Sequence, residues 1–267
     1  MTKRELKQFL GVNALRFFIA ITAMFLLLFL YVIFSKGAKV LSWSFLIESP
    51  RKYMTEGGIY PAIVGTFWLT LLSIGFALPL GILTAIFLKS YAKPFWLVRC
   101  VRVAINTLAG VPSIIYGLFG LTVFVQMLKF DVSILSGALT LGVLAMPVII
   151  NASEEALRSV PTDFREASLA LGATERQTIL KVILPAALPN ILTGTIISIG
   201  RVAGETAPIL FTAATFYTRR LPTSIMDEVM VLPYHIYALM TEGCHADKQV
   251  PIAYGTAVVL LMLVLLV

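Results

Sequence analysis

The sequence predicts an all-α integral membrane protein of six transmembrane helices, and three observations predict it. Of 267 residues, 58% are apolar and 13% charged, whereas a globular domain is about a quarter charged. Mean hydropathy is +0.91. Runs such as 19–34 and 253–267 hold no charge over about the length needed to cross a hydrocarbon core of about 30 Å.

The spans are expected at 15–35, 59–88, 103–127, 134–152, 190–216 and 251–267. The first apolar run is too long for the core of a signal peptide, and no small-residue cleavage site precedes the basic stretch at 35–39, so it reads as a retained helix. Residues 1–58 form an N-terminal segment with this helix and an outer loop, and 59–267 form the core domain. Spans two to five carry Pro79, Pro112, Pro147 and Pro208, together with glycines such as Gly65, Gly75, Gly81, Gly110, Gly117 and Gly120. Residues of this kind let helices approach closely and break locally. Trp43 suits an interfacial belt. The sixth span covers only seventeen residues and has no basic flank after it, so the natural C-terminus is expected to lie further on.

The net charge of +7 raises the question of nucleic acid. The basic residues are scattered between apolar runs rather than gathered on one soluble face, and membrane topology accounts for them better. With the N-terminus in the cytoplasm, twelve of the 21 Lys and Arg residues fall inside, eight outside, and Arg201 within a span, a mild positive-inside bias. Cys100 and Cys244 lack CxxC or metal-ligand spacing and fall on opposite sides of the membrane. His235 and His245 lie in the outer segment 217–250 without a ligand set around them. Within that segment 224–240 reads as an amphipathic helix, interfacial or periplasmic, broken by Pro233. Asn106 and Asn151, near membrane ends, are candidates for hydrogen bonding between helices.

The long polar stretch 153–189 reads as two short helices standing off the membrane. Asp163 followed by Glu166 has the spacing of a capping box, and Gly172 sits where a helix-ending left-handed residue belongs. Thr174 with Gln177 repeats the cap signal, and Pro185 is expected to terminate the second helix. Leu169, Leu171, Ile179 and Leu180 are available to pack the pair. Spans on both sides tether the segment to the bilayer, which argues against a DNA-binding helix–turn–helix. A plain cytoplasmic loop and a docking element for a partner both fit the pattern.

Glu166-Ala167-Ser168, then Gly172, then Val182-Ile183-Leu184-Pro185, resembles the EAA loop of the permeases of ABC importers, with Ser168 and Val182 as small departures. In that family the loop enters a groove on the ATP-binding subunit. The resemblance therefore implies a six-helix permease of the type I importer kind, coupled through Glu166, Ala167, Ser168, Gly172, Leu184 and Pro185. It also implies that this chain binds no cofactor and that ATP and Mg belong to a partner ATPase. The sequence contains no GxxxxGK[ST] phosphate loop.

Arg201 and Glu205 lie inside the fifth span. Counting from Asn190, eleven residues at 1.5 Å each place Arg201 ~16 Å deep, and the four-residue spacing predicts both on one helix face. Ionisable groups at that depth are costly and face a partner or a cavity. Mutual neutralisation within the bundle is one reading. The other is a substrate path: a guanidinium matches phosphate oxygens in a bidentate fashion, Gly204 leaves the backbone open, and the carboxylate can accept a proton-bearing oxygen.

The run Arg201, Ala203, Gly204, Glu205, Thr206, Ala207, Pro208, Leu210, Phe211, Thr212, Ala213 is similar to the signature of phosphate-specific permeases of the PstA type. The likeness extends to Pro112-Ser113-Ile114-Ile115, Gly117-Leu118-Phe119 and 56–59. It implies phosphate import across the cytoplasmic membrane of a prokaryote, with Arg201, Gly204, Glu205 and Thr206 on the substrate path. The implied partners are a PstC-type second permease, a PstB-type ATPase dimer, a PstS-type binding protein and membrane lipid. A permease for sulfate or molybdate and a freestanding anion channel or carrier are the competing readings. A membrane-embedded enzyme is disfavoured because no nucleophile–base pair or metal cluster is visible.

Overall fold

A computed structural model describes residues 3–243 and 245–266. A long N-terminal helix, α1 (Lys3–Gly37), leads through a short α2 (Trp43–Ile47) to a two-residue antiparallel hairpin of β1 (Pro50–Arg51) and β2 (Glu56–Gly57). Helix α3 (Tyr60–Ile86) continues as a π-helical turn over Phe87–Tyr91 and is followed by α4 (Phe95–Ala109) and α5 (Ser113–Gly120), the latter extended by π-helical Leu121–Met127. Helix α6 (Ile134–Ser159) precedes α7 (Thr162–Ala170) and α8 (Glu175–Thr178), and π-helical Ile179–Ile183 joins α8 to α9 (Leu184–Gly204). Helices α10 (Ala207–Leu210), α11 (Leu232–Thr241) and α12 (Ala246–Leu266) complete the chain.

Among the described residues five helices are long and apolar enough to cross a membrane, and α4 with α5 forms a sixth span if that bent pair counts as one. The bend is 100°, where a straight span over 103–127 was expected. Pro112 explains it, because its ring would strike the Leu108 carbonyl in a continuous helix. The freed Leu108 carbonyl accepts the Tyr116 hydroxyl at 2.8 Å, the internal satisfaction that an apolar surrounding demands.

Helices α3, α6 and α9 form the core, with Leu69, Ala77, Leu141, Ala145, Ile149 and Val202 in one buried cluster. Lipid is as apolar as leucine, so close van der Waals approach has to hold such helices together. Small residues allow it: a Cβ on Gly81 would strike Ile149, one on Gly142 would strike Phe76, and one on Gly194 would strike Ala152. Hydroxyls in these helices return to the carbonyl four residues back, Ser73 to Leu69 at 2.6 Å and Thr140 to Ser136 at 2.7 Å, which satisfies these buried donors within their own helix; the buried Ser153 hydroxyl of α6 is the exception. Helix α1 is exposed along almost all of 11–31 and rests on α12, Gly37 lying against Tyr254.

The fifth span departs from expectation. Helix α9 stops at Gly204 instead of running to 216, Glu205 is extended, and α10 begins after Thr206. Continuing the helix would press the Pro208 ring against the Gly204 carbonyl. The chain then folds back over α6, whose first N–H groups are taken up by carbonyls of this segment: Ser133 donates to Thr212, Ile134 to Asp227 and Leu135 to Ile225. In place of one helix over 224–240 the structure has α11, which buries one face through Leu232, Tyr234, His235, Ala238 and Leu239 and leaves Tyr237 and Met240 exposed. Pro233 sits in its first turn, where a missing N–H costs nothing. Buried His235 places Nδ1 3.2 Å from the Thr256 hydroxyl of α12.

Pro185 does not end a helix. Residues Glu175–Gly204 form one 30-residue helical stretch, and the π-helical turn at Ile179–Ile183 widens the backbone just before the proline. Asp163 is not a cap either, since Pro161 holds the N-cap position of α7 without a side-chain bond. The Thr174–Gln177 capping box is present with both of its bonds, and Gly172 has φ +84. Cys244 lies outside the described residues.

Candidate functional site

Helices α7 and α8 make a compact projection. Ser168 and Thr178 share a hydrogen bond of 2.9 Å, and Arg165 Nη2 reaches both carboxylate oxygens of Glu175 at 2.8 and 2.9 Å. Glu166 and Ala167 are exposed, Ser168 is half-buried, and Leu171 stands 89% exposed. Leu171 therefore does not help to pack the projection, as it was expected to, whereas Ile179 is buried in the cluster with Ala85, Ala156 and Ile191. Leu184 is half-buried and Pro185 exposed on the same helical stretch. Because α8 runs unbroken into α9, the projection and Arg201 are the two ends of one rod.

At the far end of that rod, Arg201 Nε lies 3.4 Å from Glu205 Oε1, with the side chains 42% and 18% exposed. The expected one-turn relation on a continuous helix is replaced by a helix end: Arg201 is in the last turn, and Glu205 is the extended residue that follows. The bond is longer than a charge-assisted one at its best, ~2.8 Å, and it engages one of the five guanidinium N–H groups. A Cβ on Gly204 would meet nothing within 4 Å, so the backbone beside the pair is open, and Thr206 beyond it is half-buried.

Close packing lies next to this opening. A Cβ on Gly117 of α5 would come within 3.0 Å of the Pro208 Cα, so α5 and α10 are pressed together there. Toward the Glu166 end, α4 and α9 pack on different faces of α6, α4 through Val98 and Ile105 against Ile150, and α9 through Gly194 against Ala152. The face of α6 between them carries Asn151, Glu155 and Arg158, all exposed, at spacings that put them on one side of a helix.

A second charged group, absent from the sequence-based candidates, lies at this end. Buried Glu154 Oε1 accepts from Arg102 Nη2 at 2.5 Å and from Arg158 Nη2 at 2.6 Å. Asn151 Nδ2 donates to Asn106 Oδ1 at 3.1 Å, joining the two asparagines picked out from the sequence across α4 and α6. The four-residue spacing of Glu154 and Arg158 was a readable signal, while the Arg102 partner depends on the bend that brings α4 alongside α6. Away from the spans, Asp227 accepts from the Thr223 and Ser224 N–H groups and the Thr223 hydroxyl at 2.8–3.0 Å. These bonds hold its carboxyl below the ordinary aspartate value. Among the described residues no group of three His, Cys, Asp or Glu side chains could hold a metal.

Residues 77–267 match the family described as binding-protein-dependent transport system inner membrane component. This chain belongs to that family. It is 34% identical over 256 residues to the probable ABC transporter permease protein YqgI of Bacillus subtilis, covering 92% of this chain and 86% of that one. It is 36% identical to the phosphate transport system permease protein PstA of Mycobacterium leprae over 83% of this chain and 72% of that one. With the probable PstA of Methanocaldococcus jannaschii the identity is 37%, over 79% and 74%. Among solved structures, a bacterial ABC transporter involved in import of the acidic polysaccharide alginate superposes with TM-score 0.64 at 21% identity, over 99% of this chain and 96% of that one. The inward-facing MetNI methionine ABC transporter superposes with TM-score 0.58 at 23% identity, over 78% and 88%. These last two establish the fold. The chain is thus a membrane-spanning permease subunit of an ABC importer, homologous to PstA proteins.

Proposed function

We propose that this permease subunit carries inorganic phosphate across the cytoplasmic membrane, its N-terminus inside, with Arg201 and Glu205 on the substrate path. The observation that carries the reading is the slack in that pair: a permanent cation at the end of a membrane helix, 42% exposed, held by one 3.4 Å bond, beside a backbone left open at Gly204. A cation meant only to be neutralised inside a bundle gains most from short, saturated bonds. Arg201 keeps donors free for a tetrahedral anion. Glu205 restrains it when empty and accepts the proton-bearing oxygen of hydrogen phosphate, a feature that favours phosphate over fully ionised sulfate or molybdate. Thr206 supplies a hydroxyl at the same level.

Motion comes from the α7–α8 projection. In this reading it docks on an ATPase dimer that binds ATP and Mg, while a second permease subunit completes the path and an outer binding protein delivers the anion. Displacing the projection tilts the rod Glu175–Gly204 and so moves Arg201 relative to the Gly117–Pro208 contact, which alternates access. The test is uptake of labelled anion by proteoliposomes holding the assembled complex. Phosphate should be accumulated on ATP addition and compete with itself, with sulfate and molybdate weak competitors. Equal transport of all three would reject phosphate selectivity, and uptake without ATP would reject the coupled importer. Glu166→Lys should abolish copurification of the ATPase; retention of a coupled ATPase by that variant would remove the docking role.

A further inference from the structure

The polar cleft at the Glu166 end is unused by the mechanism so far. It has a volume of about 290 Å³ and is lined by Arg102, Asn106, Asn151, Glu154, Glu155 and Arg158, a wholly polar set. Helix geometry places it. On α6, Asn151, Glu155 and Arg158 occupy the arc between the face that meets α4 and the face that meets α9. On α9, Arg201 is seven residues beyond Gly194, which abuts Ala152 of α6, so Arg201 stands two turns from the Asn151 tier on the same side, roughly 10 Å away along the axis. The cleft therefore lies below Arg201 along the side where α4 and α9 separate, and the Gly117–Pro208 contact lies above.

Its chemistry is that of a weak oxyanion site. The two guanidiniums converge on a single Glu154 oxygen, which leaves most of their N–H groups uncommitted. Arg102 Nε is buried and without a partner, the kind of orphan donor that an ordered water or ion commonly satisfies. The Asn151–Asn106 bond uses one amide hydrogen of Asn151 and leaves its other and both of Asn106. The formal charges of Arg102, Arg158, Glu154 and Glu155 cancel. A neutral, donor-rich cleft holds an anion loosely, and passage requires sites weak enough to leave.

We propose that this cleft is a second anion station, through which phosphate passes on leaving Arg201 for the cytoplasm. It takes a tetrahedral oxyanion on Arg158, Arg102 and the two amides, with exposed Glu155 accepting its proton. The station rests on the reading of Arg201 as the upper site, and the test keeps the two apart. The assembled complex, in lipid nanodiscs with Cys100→Ala and Cys244→Ala, carries Asn151→Cys or, independently, Asn106→Cys as reporter. Labelling by neutral N-ethylmaleimide is timed with inorganic phosphate and with chloride at equal ionic strength. Phosphate should slow labelling several-fold at both reporters, also in the Arg201→Gln background, and Arg158→Gln, which leaves the Arg102–Glu154 pair intact, should abolish the protection. No difference from chloride, or protection unchanged by Arg158→Gln, overturns the station. Protection that vanishes with Arg201→Gln overturns it too, since the cleft is then shielded only by events at the upper site. Protection that persists in an Arg201→Gln complex transporting at the normal rate overturns the upper site and leaves the station standing.

Discussion

Among the described residues two arginine–glutamate groups lie on or at the end of the long apolar helices α6 and α9, and they are built in opposite ways. Glu154 is buried and takes two guanidiniums at 2.5 and 2.6 Å, whereas Glu205 takes one at 3.4 Å at a helix end beside open space. The first arrangement exhausts a carboxylate oxygen to tie α4 to α6. The second holds its cation by one long bond at a helix end. The difference teaches that the same residue pair can serve as a tie between helices or as a loose restraint on a cation, according to how short and how buried its bonds are.

The same contrast runs through the glycines and supplies the largest expected effect. A Cβ on Gly65 would overlap the Met230 carbonyl, a backbone atom that cannot rotate away. Gly65→Ala should therefore cost several times ~1 kcal/mol by overpacking and sharply reduce the yield of folded protein in detergent. Gly204→Ala meets nothing within 4 Å and should leave yield and melting unchanged while slowing phosphate uptake. Equal yields for the two would break the distinction between a packed and an open glycine.

The carboxylates sharpen it further. Glu154→Gln leaves Arg102 and Arg158 without their shared anion. Breaking a fully buried pair costs ~3–5 kcal/mol, and with the two arginines 33% and 51% exposed the expected loss is about 1–2 kcal/mol, seen as a lower melting temperature. Glu205→Gln should not move the melting temperature. A smaller effect is expected at the projection: Gly172 has φ +84, so Gly172→Ala should cost about 1 kcal/mol locally, read as faster hydrogen exchange over α7 and α8 with the spans unaffected. The smallest concerns Asp227. Its folded pKa is lowered, so its contribution is present above the ordinary value of 3.8 and disappears as pH falls through the lowered folded value. Wild type and Asp227→Asn should therefore differ slightly in melting temperature at neutral pH and converge in strong acid.

Much of this was legible from residue types. The apolar runs located the spans apart from the bend in the third and the early end of the fifth, Gly172 and the Thr174–Gln177 box marked the projection, and the RxAGETAP run marked the pair at Arg201. Proline effects were legible only in part. Pro112 and Pro208 both break their helices, while Pro79 and Pro147 sit inside continuous ones, and Pro185 is absorbed by a π-helical turn. Sequence shows that a backbone bond is lost; it does not show whether a neighbour such as Tyr116 or a widened turn can make the loss bearable. For the same reason Glu154 was missed: its partner Arg102 is 52 residues away and arrives only because the third span bends. Helix α11 differs from the expected one because Pro233 starts it rather than breaking it, and its buried His235 meets Thr256 of α12, a contact that no local pattern announces.

The most direct measurement is ATP-driven uptake of labelled phosphate by proteoliposomes containing the intact complex with Arg201→Gln, beside wild type and with assembly verified by copurification of all subunits. Loss of a charge-assisted contact of at least ~1.4 kcal/mol corresponds to a drop of about tenfold or more, with ATPase binding retained. Uptake at the wild-type rate by a fully assembled Arg201→Gln complex would contradict the account.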